Sequence, residues 1–395
     1  MPKTSNGYDD INLVVVRPQA FIAISGTGVG GALAVQRIED VLYVDAVTGG
    51  KGGGKWLKAD APPKGNKGLL LLAGKDRLTA YLGPRPVETK VIMLDSDLFK
   101  RQKGVFETRI LKSKLVTIIG LGSGGSFAAV ELAKCGVERF RLIDFDRLET
   151  HNVSRHACGI SSVGRFKTHC VRDAILEKNP EAVVETLNFD VLKDDARLEG
   201  ALIGSHIVLV CTDTERSRLA INAHALKLKV PAVYAGAYER AFGGDVIRVI
   251  PGETPCYDCV IGAVKKNLED LPRQKVVDYS NLSDPADFRA EPGLGLDIDF
   301  ITLLQVKMAL LTLLRGENTT LKDLDTNFIM WSNRAEWIFK EPLQAIFANT
   351  SVREDCATCQ GDKLVEKRLA MDHQQIEESA RDILEQTRKR SGGGT

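Results

Sequence analysis

An apolar β-type run, Leu115-Val-Thr-Ile-Ile119, passes directly into Gly120-Leu-Gly122-Ser-Gly124-Gly125-Ser126, and this junction constrains the chain more than any other stretch. The run suits a parallel strand buried on both faces. The glycines after it let the backbone turn tightly and bring N–H groups against phosphate oxygens at the start of a helix, expected from Phe127 to Lys134 and closed by Gly136. A second strand, Arg139 to Asp144, ends in an acid placed to hold two ribose hydroxyls. Together these elements specify a nucleotide-binding βαβ unit.

The residues that follow narrow the nucleotide. Asp144-Phe-Asp146 leads into a polar segment, Glu149-Thr-His-Asn152-Val-Ser-Arg155, and then Gly164-Arg-Phe-Lys167. An Asn, an Arg and a Lys this close to the ribose acid surround a triphosphate better than a nicotinamide ring. His206 to Cys211 reads as a further strand, and Thr212-Asp213 after it sets another carboxylate at the C-terminal edge of the sheet, where ligands bind. Two carboxylates, an Arg and a Lys suit a Mg-nucleotide attacked at phosphorus. His151 and His156 read as loop residues beside it.

Residues from about Arg101 to Arg315 resemble the ThiF/MoeB/E1 family, enzymes that adenylate the C-terminal glycine of ubiquitin-like and sulfur-carrier proteins. By that resemblance Gly120, Gly122 and Gly125 belong to the phosphate loop with Gly124, and Asp144 is the ribose-binding acid with Asp146 beside it. Asn152, Arg155 and Lys167 match the phosphate and Mg²⁺ groups, and Asp213 matches the metal-binding acid of a Cys-Thr-Asp triplet. Arg101-Gln102 matches an Arg-Gln pair whose Arg reaches the γ-phosphate in the partner subunit of a dimer. The resemblance thus implies ATP and Mg²⁺ as cofactors, a homodimer, and Arg101, Arg155, Lys167 and Asp213 as the catalytic set.

A chain of 395 residues holds one large or two ordinary domains, and 44% hydrophobic residues permit a full core. A net charge of +1 gives no bulk attraction to nucleic acid or to an anionic membrane. The first ten residues lack the apolar core of a signal peptide, and the longest apolar helix, Phe300 to Leu314, is interrupted by Gln305 and Lys307. A cytoplasmic protein is expected. Eight cysteines in such a chain point to metal or chemistry rather than disulfides. Cys256-Tyr-Asp-Cys259 and Cys356-Ala-Thr-Cys359 are two C-x-x-C knuckles that can complete a tetrahedral, structural Zn²⁺ site.

The fold class expected is α/β, a Rossmann-like, mostly parallel sheet flanked by helices, with a small β-rich N-terminal domain and a zinc-tethered C-terminal helical extension. The domains are drawn at 1–95, 96–345 and 346–395. In the first, β-type runs at Ile11–Val16, Ala20–Ile24, Asp40–Val44, Gly68–Leu72, Arg77–Leu82 and Lys90–Leu94 are separated by turn residues. Gly26-Thr-Gly28-Val-Gly30-Gly31 repeats the dinucleotide spacing but reads as a tight hairpin. Gly49 to Lys55 matches a GxxxxGK loop, yet Trp56 replaces the expected hydroxyl residue, so a flexible loop is expected. Later strands are expected at Val183–Leu187, Ala232–Ala237, an edge strand to Ile250, Asn327–Trp331 and Glu336–Lys340, with a last helix over Leu364–Arg390.

Residues 263–298 occupy the place of the family's crossover segment, which carries the thioester cysteine in ubiquitin-type activating enzymes. Here no cysteine lies between Val260 and Asp355. Cys158, in the loop after Arg155, is the one candidate near the nucleotide, against the alternative of a small packing residue. Three functions follow. The first is an E1-like enzyme that activates a ubiquitin-like protein for its own thiol or that of an E2-like partner, as in bacterial conjugation operons. The second is a sulfur-carrier adenylyltransferase without a covalent thioester. The third, an NAD-dependent oxidoreductase, is disfavoured by Asn152, Arg155 and Lys167.

Overall fold

The computed structural model describes residues 10–361 apart from 27, 49–51, 75–76, 93–97 and 270–292. The chain divides between Arg101 and Gln102 into two compact units. The crossover segment lies largely outside the described residues, and the helix expected over 364–390 lies wholly outside them.

The N-terminal unit is a closed barrel of β1 (Leu13–Val16), β2 (Gly30–Ile38), β3 (Val41–Thr48), β4 (Gly54–Leu57), β5 (Leu69–Ala73), β6 (Leu78–Leu82) and β7 (Arg85–Val91), in the order β1-β3-β2-β4-β5-β6-β7. The first strand closes it by pairing in parallel with both β3 and β7. Its core gathers Val14, Val16, Leu33, Leu42, Val44, Trp56, Leu69 and Leu71. Three expectations are corrected here. Ala20–Ile24 lies in helix α1 (Pro18–Ser25), because Pro18 is pre-set for a first helical position and Ala20 and Ile24, four apart, face the core. The glycines around Gly28 link that helix to β2 instead of forming a hairpin, and they are small because the Trp56 ring lies 3.2 Å from where a Cβ on Gly28 would stand. Gly54 and Lys55 begin β4, where Trp56 is buried.

In the C-terminal unit, β8 (Leu115–Ile119), helix α2 (Ser123–Lys134), β9 (Arg139–Ile143), α3 (Lys167–Lys178), β10 (Val183–Leu187), α4 (Asp195–Leu202), β11 (Ile207–Val210), α5 (Glu215–Lys227) and β12 (Ala232–Ala237) alternate strictly. After them come β13 (Gly243–Val249), α6 (Tyr257–Glu269), α7 (Gly295–Leu313), β14 (Phe328–Ser332) and β15 (Ala345–Ala348). The eight strands run β10-β9-β8-β11-β12-β13-β14-β15. The first five are mutually parallel and the last three antiparallel. Every residue of β8 and β11 is buried, as strands with both faces covered must be. The order of strand addition reverses between these two parallel strands, so the turns leaving both open a crevice at the carboxyl edge.

α2 begins four residues earlier than expected, at Ser123, so Gly124 and Gly125 lie in its first turn. The strand ending near Ile250 is not an edge: β14 and β15 cover it, and all seven of its residues are buried. Glu336–Lys340 is a turn with Trp337 at φ 59°, and β15 supplies the edge instead. Among the described residues no helix is long and apolar enough to cross a membrane.

Phe140 on β9 is 1% exposed, within a core that includes Val116, Ile118, Leu132 and Ile175. Phe140→Ala should lower unfolding stability by about 3–5 kcal/mol through the cavity it leaves. Urea denaturation at neutral pH checks the value.

Candidate active site

Gly120 leaves β8 at φ 85°, and a Cβ there would stand 2.8 Å from the Cys211 carbonyl oxygen and 2.9 Å from the Thr212 nitrogen. A Cβ on Gly125 would collide with the Gly120 carbonyl oxygen. Only glycine permits both approaches. The register of the strands sets their ends level: Ile119 pairs with Ile143, and Val210 with Ile119. The N-cap of α2 is Gly122, with no side-chain cap on the first-turn amides. Those donors, with the positive end of the helix dipole, form a natural anion site.

The loop is held from its neighbours. The Asp144 carboxylate accepts the Leu121 N–H at 2.6 Å and the Asp146 N–H at 2.8 Å. A carboxylate has about four lone-pair sites, so Asp144 keeps capacity for further donors. Burial raises its carboxyl above the ordinary carboxylate range, while Lys167 and those two backbone N–H groups work against the rise. Lys167, the first residue of α3, places its Nζ 2.9 Å from Asp146 Oδ2. Asn152 closes a one-turn 3-10 helix, accepting the Glu149 N–H at 2.9 Å.

Asp144, Asp146, Asn152, Arg155, Lys167 and Asp213 line one cavity of about 360 Å³ with Gly120 and Gly122. The residues that sequence reasoning missed form its apolar wall: Ile119, Ile143, Phe145, Phe189 and Val191. Phe189 and Val191 follow the end of β10, and apolar residues just past a strand end were the one available signal. A second cavity of about 370 Å³ shares Arg155, Cys211, Thr212 and Asp213 with the first. Its wall carries Gly124, Ala235, Gly236, Ala237, Thr302 and Gln305. Arg101 lies exposed in the turn Lys100–Gln102 and is not among the residues lining either cavity.

Cys158 is buried, stands outside both linings, and has its thiol pushed up to about 12 by burial. Cys211 lines both cavities, but burial pushes its thiol up to about 12 as well. Neither carries an appreciable thiolate fraction near neutral pH.

The two Cys knuckles meet away from the crevice. Cys256 and Cys259 flank the start of α6, and their Sγ atoms lie 3.7 Å from Cys356 Sγ and 3.5 Å from Cys359 Sγ respectively. All four sulfurs lie within 4.8 Å of one another. A tetrahedral ion with sulfur bonds of about 2.3 Å requires sulfur separations of about 3.8 Å, so the donor set fits. The Arg353 N–H lies 3.3 Å from Cys259 Sγ, a hydrogen bond suited to a thiolate.

The family described as ThiF matches residues 98–344. This chain belongs to the ThiF family. The ThiF relatives include ubiquitin-like modifier-activating enzyme 5 of Dictyostelium discoideum, 32% identical over 160 residues that cover 38% of this chain and 42% of that protein. Molybdopterin-synthase adenylyltransferase of Escherichia coli K12 is 38% identical over 152 residues, covering 38% of this chain and 59% of that one. The chain thus spans about half the length of the curated relatives it matches. Among solved structures, Escherichia coli MccB with ATP is similar at 20% identity and a TM-score of 0.49, covering 64% of this chain and 68% of that one.

His156, buried and among the residues lining the first cavity, is pushed down to about 4 from 6.5 by desolvation. The unfolded chain therefore takes up this proton first, so the stability it confers is full above about pH 6.5 and lost as pH falls toward 4. Urea midpoints should decline between about pH 7 and pH 5, and His156→Gln should flatten part of that slope.

Proposed function

We propose that this ThiF-family chain uses Mg-ATP to adenylate the C-terminal glycine of a ubiquitin-like protein, for transfer to a thiol of its own or of an E2-like partner. The carrying observation is the junction of two cavities at Arg155, Thr212 and Asp213. One is walled for a nucleotide, with apolar residues for a base, Asp144 for a ribose and the α2 N-terminus for phosphates. The other is lined by Gly236, Ala235 and Ala237, dimensions suited to the narrow tail of a glycine-ended protein. A carboxylate entering through the second meets the nucleotide where the basic groups lie.

The chemistry is governed by charge. A glycine carboxylate is a weak nucleophile at phosphorus, and the triphosphate repels it. Arg155 and Lys167, with Arg101 of the partner subunit in a homodimer, neutralise charge that grows as pyrophosphate leaves. Asp213, a hard oxygen donor at the sheet edge, would hold Mg²⁺, which supplies Lewis-acid neutralisation of the phosphate oxygens. Gly120, Gly122, Gly124 and Gly125, with Asp146 and Asn152, orient the nucleotide. The product is an acyl-adenylate open to thiol attack. Such positioning requires no general base.

A specific observation favours the sulfur-carrier alternative, in which the chain stops at the acyl-adenylate. The sequence has no cysteine between Val260 and Asp355, Cys158 is buried outside both cavities, and desolvation pushes the Cys158 and Cys211 thiols up to about 12. A thioester that appears on this chain under non-reducing conditions and vanishes with reductant selects the first reading. Its absence beside a detectable acyl-adenylate selects the second.

ATP–pyrophosphate exchange dependent on a glycine-ended carrier should fall about 10²–10³-fold in Arg155→Ala and in Asp213→Ala. Undiminished exchange in both folded variants sinks the proposal. For the four-cysteine cluster, we propose structural Zn²⁺ that ties the 353–360 turn to the start of α6. Elemental analysis should find about one zinc per chain, and Cys256→Ser or chelation should lower the thermal midpoint.

A further inference from the structure

Three hydrogen bonds tie the segment Arg155–Cys158 to the phosphate loop and the first turn of α2. Ser123 Oγ donates to the Arg155 carbonyl at 2.7 Å, and the Ala157 N–H donates to Ser126 Oγ at 3.1 Å. The third runs through His156, whose Nε2 lies 2.9 Å from the Leu121 carbonyl oxygen. Its other nitrogen, Nδ1, accepts the Cys158 N–H at 3.0 Å. An acceptor at Nδ1 assigns the proton to Nε2, so the ring donates to Leu121 in its neutral form. The side chain is buried, and desolvation together with Lys167 disfavours the charged ring.

We propose that His156 is a positioning residue that locks the Leu121 peptide to the Arg155 segment, so that the phosphate loop and the Arg155 guanidinium meet the nucleotide as one rigid piece. Leu121 is the point where this matters. Its N–H is held by Asp144 and its carbonyl by His156, so both sides of one residue of the loop are fixed by two residues far apart along the chain. Arg155 directly precedes His156, and its own carbonyl is held by Ser123. A small apolar residue at position 156 would leave the Leu121 carbonyl and the Cys158 N–H buried without partners. Gln offers the same pair, an N–H donor and an oxygen acceptor, on a side chain of similar reach. His156 also lines the first cavity, so amide protection measured without ligand is the readout that separates positioning of the loop from contact with the nucleotide. The positioning role rests on the adenylation reading only for the kinetic readout.

The test compares the full-length parent with His156→Ala and His156→Gln. Hydrogen–deuterium exchange without ligand, Kd for Mg-ATP by calorimetry and carrier-dependent pyrophosphate exchange are measured on each. In His156→Ala, amide protection should drop at least tenfold in residues 119–126 and 153–158 while α5 and β12 stay protected, Mg-ATP affinity should weaken about tenfold, and kcat for exchange should fall further than affinity does. His156→Gln should return all three to within about threefold of the parent. The proposal is overturned if His156→Ala leaves loop protection at the parent level, if it loosens the whole sheet uniformly, or if His156→Gln is as impaired as His156→Ala. A parent that shows no pyrophosphate exchange with any glycine-ended carrier would sink the adenylation reading alone, since the protection and ATP-binding comparisons would still decide His156.

Discussion

The crevice depends on one close approach of backbone to backbone. Gly120, at φ 85°, lies against Cys211 and Thr212 on the neighbouring strand, and Gly125 lies against the Gly120 carbonyl. No side chain fits in either gap. Because β8 and β11 are adjacent at the point where the sheet reverses order, this tight turn brings the α2 N-terminus and Asp213 to the same edge. A wider turn would separate them, and the first-turn amides of α2 and the carboxylate would no longer face one cavity.

Within that frame, two of the carboxylates of the crevice are engaged with the protein itself. Lys167 is paired with Asp146, whose side chain is 47% exposed. The Lys167 side chain is only 11% exposed, so the pair holds a largely buried ammonium at the cavity wall. Asp144 is buried and engaged with two backbone N–H groups, so it shapes the loop itself. Of two carboxylates two residues apart, one holds the backbone of the loop and the other holds Lys167.

The N-terminal barrel shows where local pattern misleads. Gly28, Gly30, Gly31 and Gly52–Gly54 mimic phosphate loops in spacing, yet they are small because Trp56, Leu33, Leu57 and Leu69 pack against them. A glycine kept for close packing and a glycine kept for a ligand look alike in sequence. The Ala20–Ile24 run was ambiguous for a related reason: five apolar residues carry no period, and burial of Ala20 and Ile24 with Ile22 at 70% exposure declares the helix only in three dimensions.

The sequence by itself determined the βαβ unit, the order of its charged residues and the two Cys knuckles, because each is a local pattern whose chemistry requires those residue types at that spacing. Tertiary structure alone decided what lies far apart along the chain. Phe189 and Val191 join the crevice through β10, Gly236 reaches the second cavity from β12, and Cys256 meets Cys356 across a hundred residues. It also decided which of the polar residues lining the cavity hold its backbone. His156 and Arg155 are neighbours in the chain and both line the cavity, where His156 also holds the Leu121 carbonyl. Sequence spacing fixes distance along the chain, and only packing fixes direction across it.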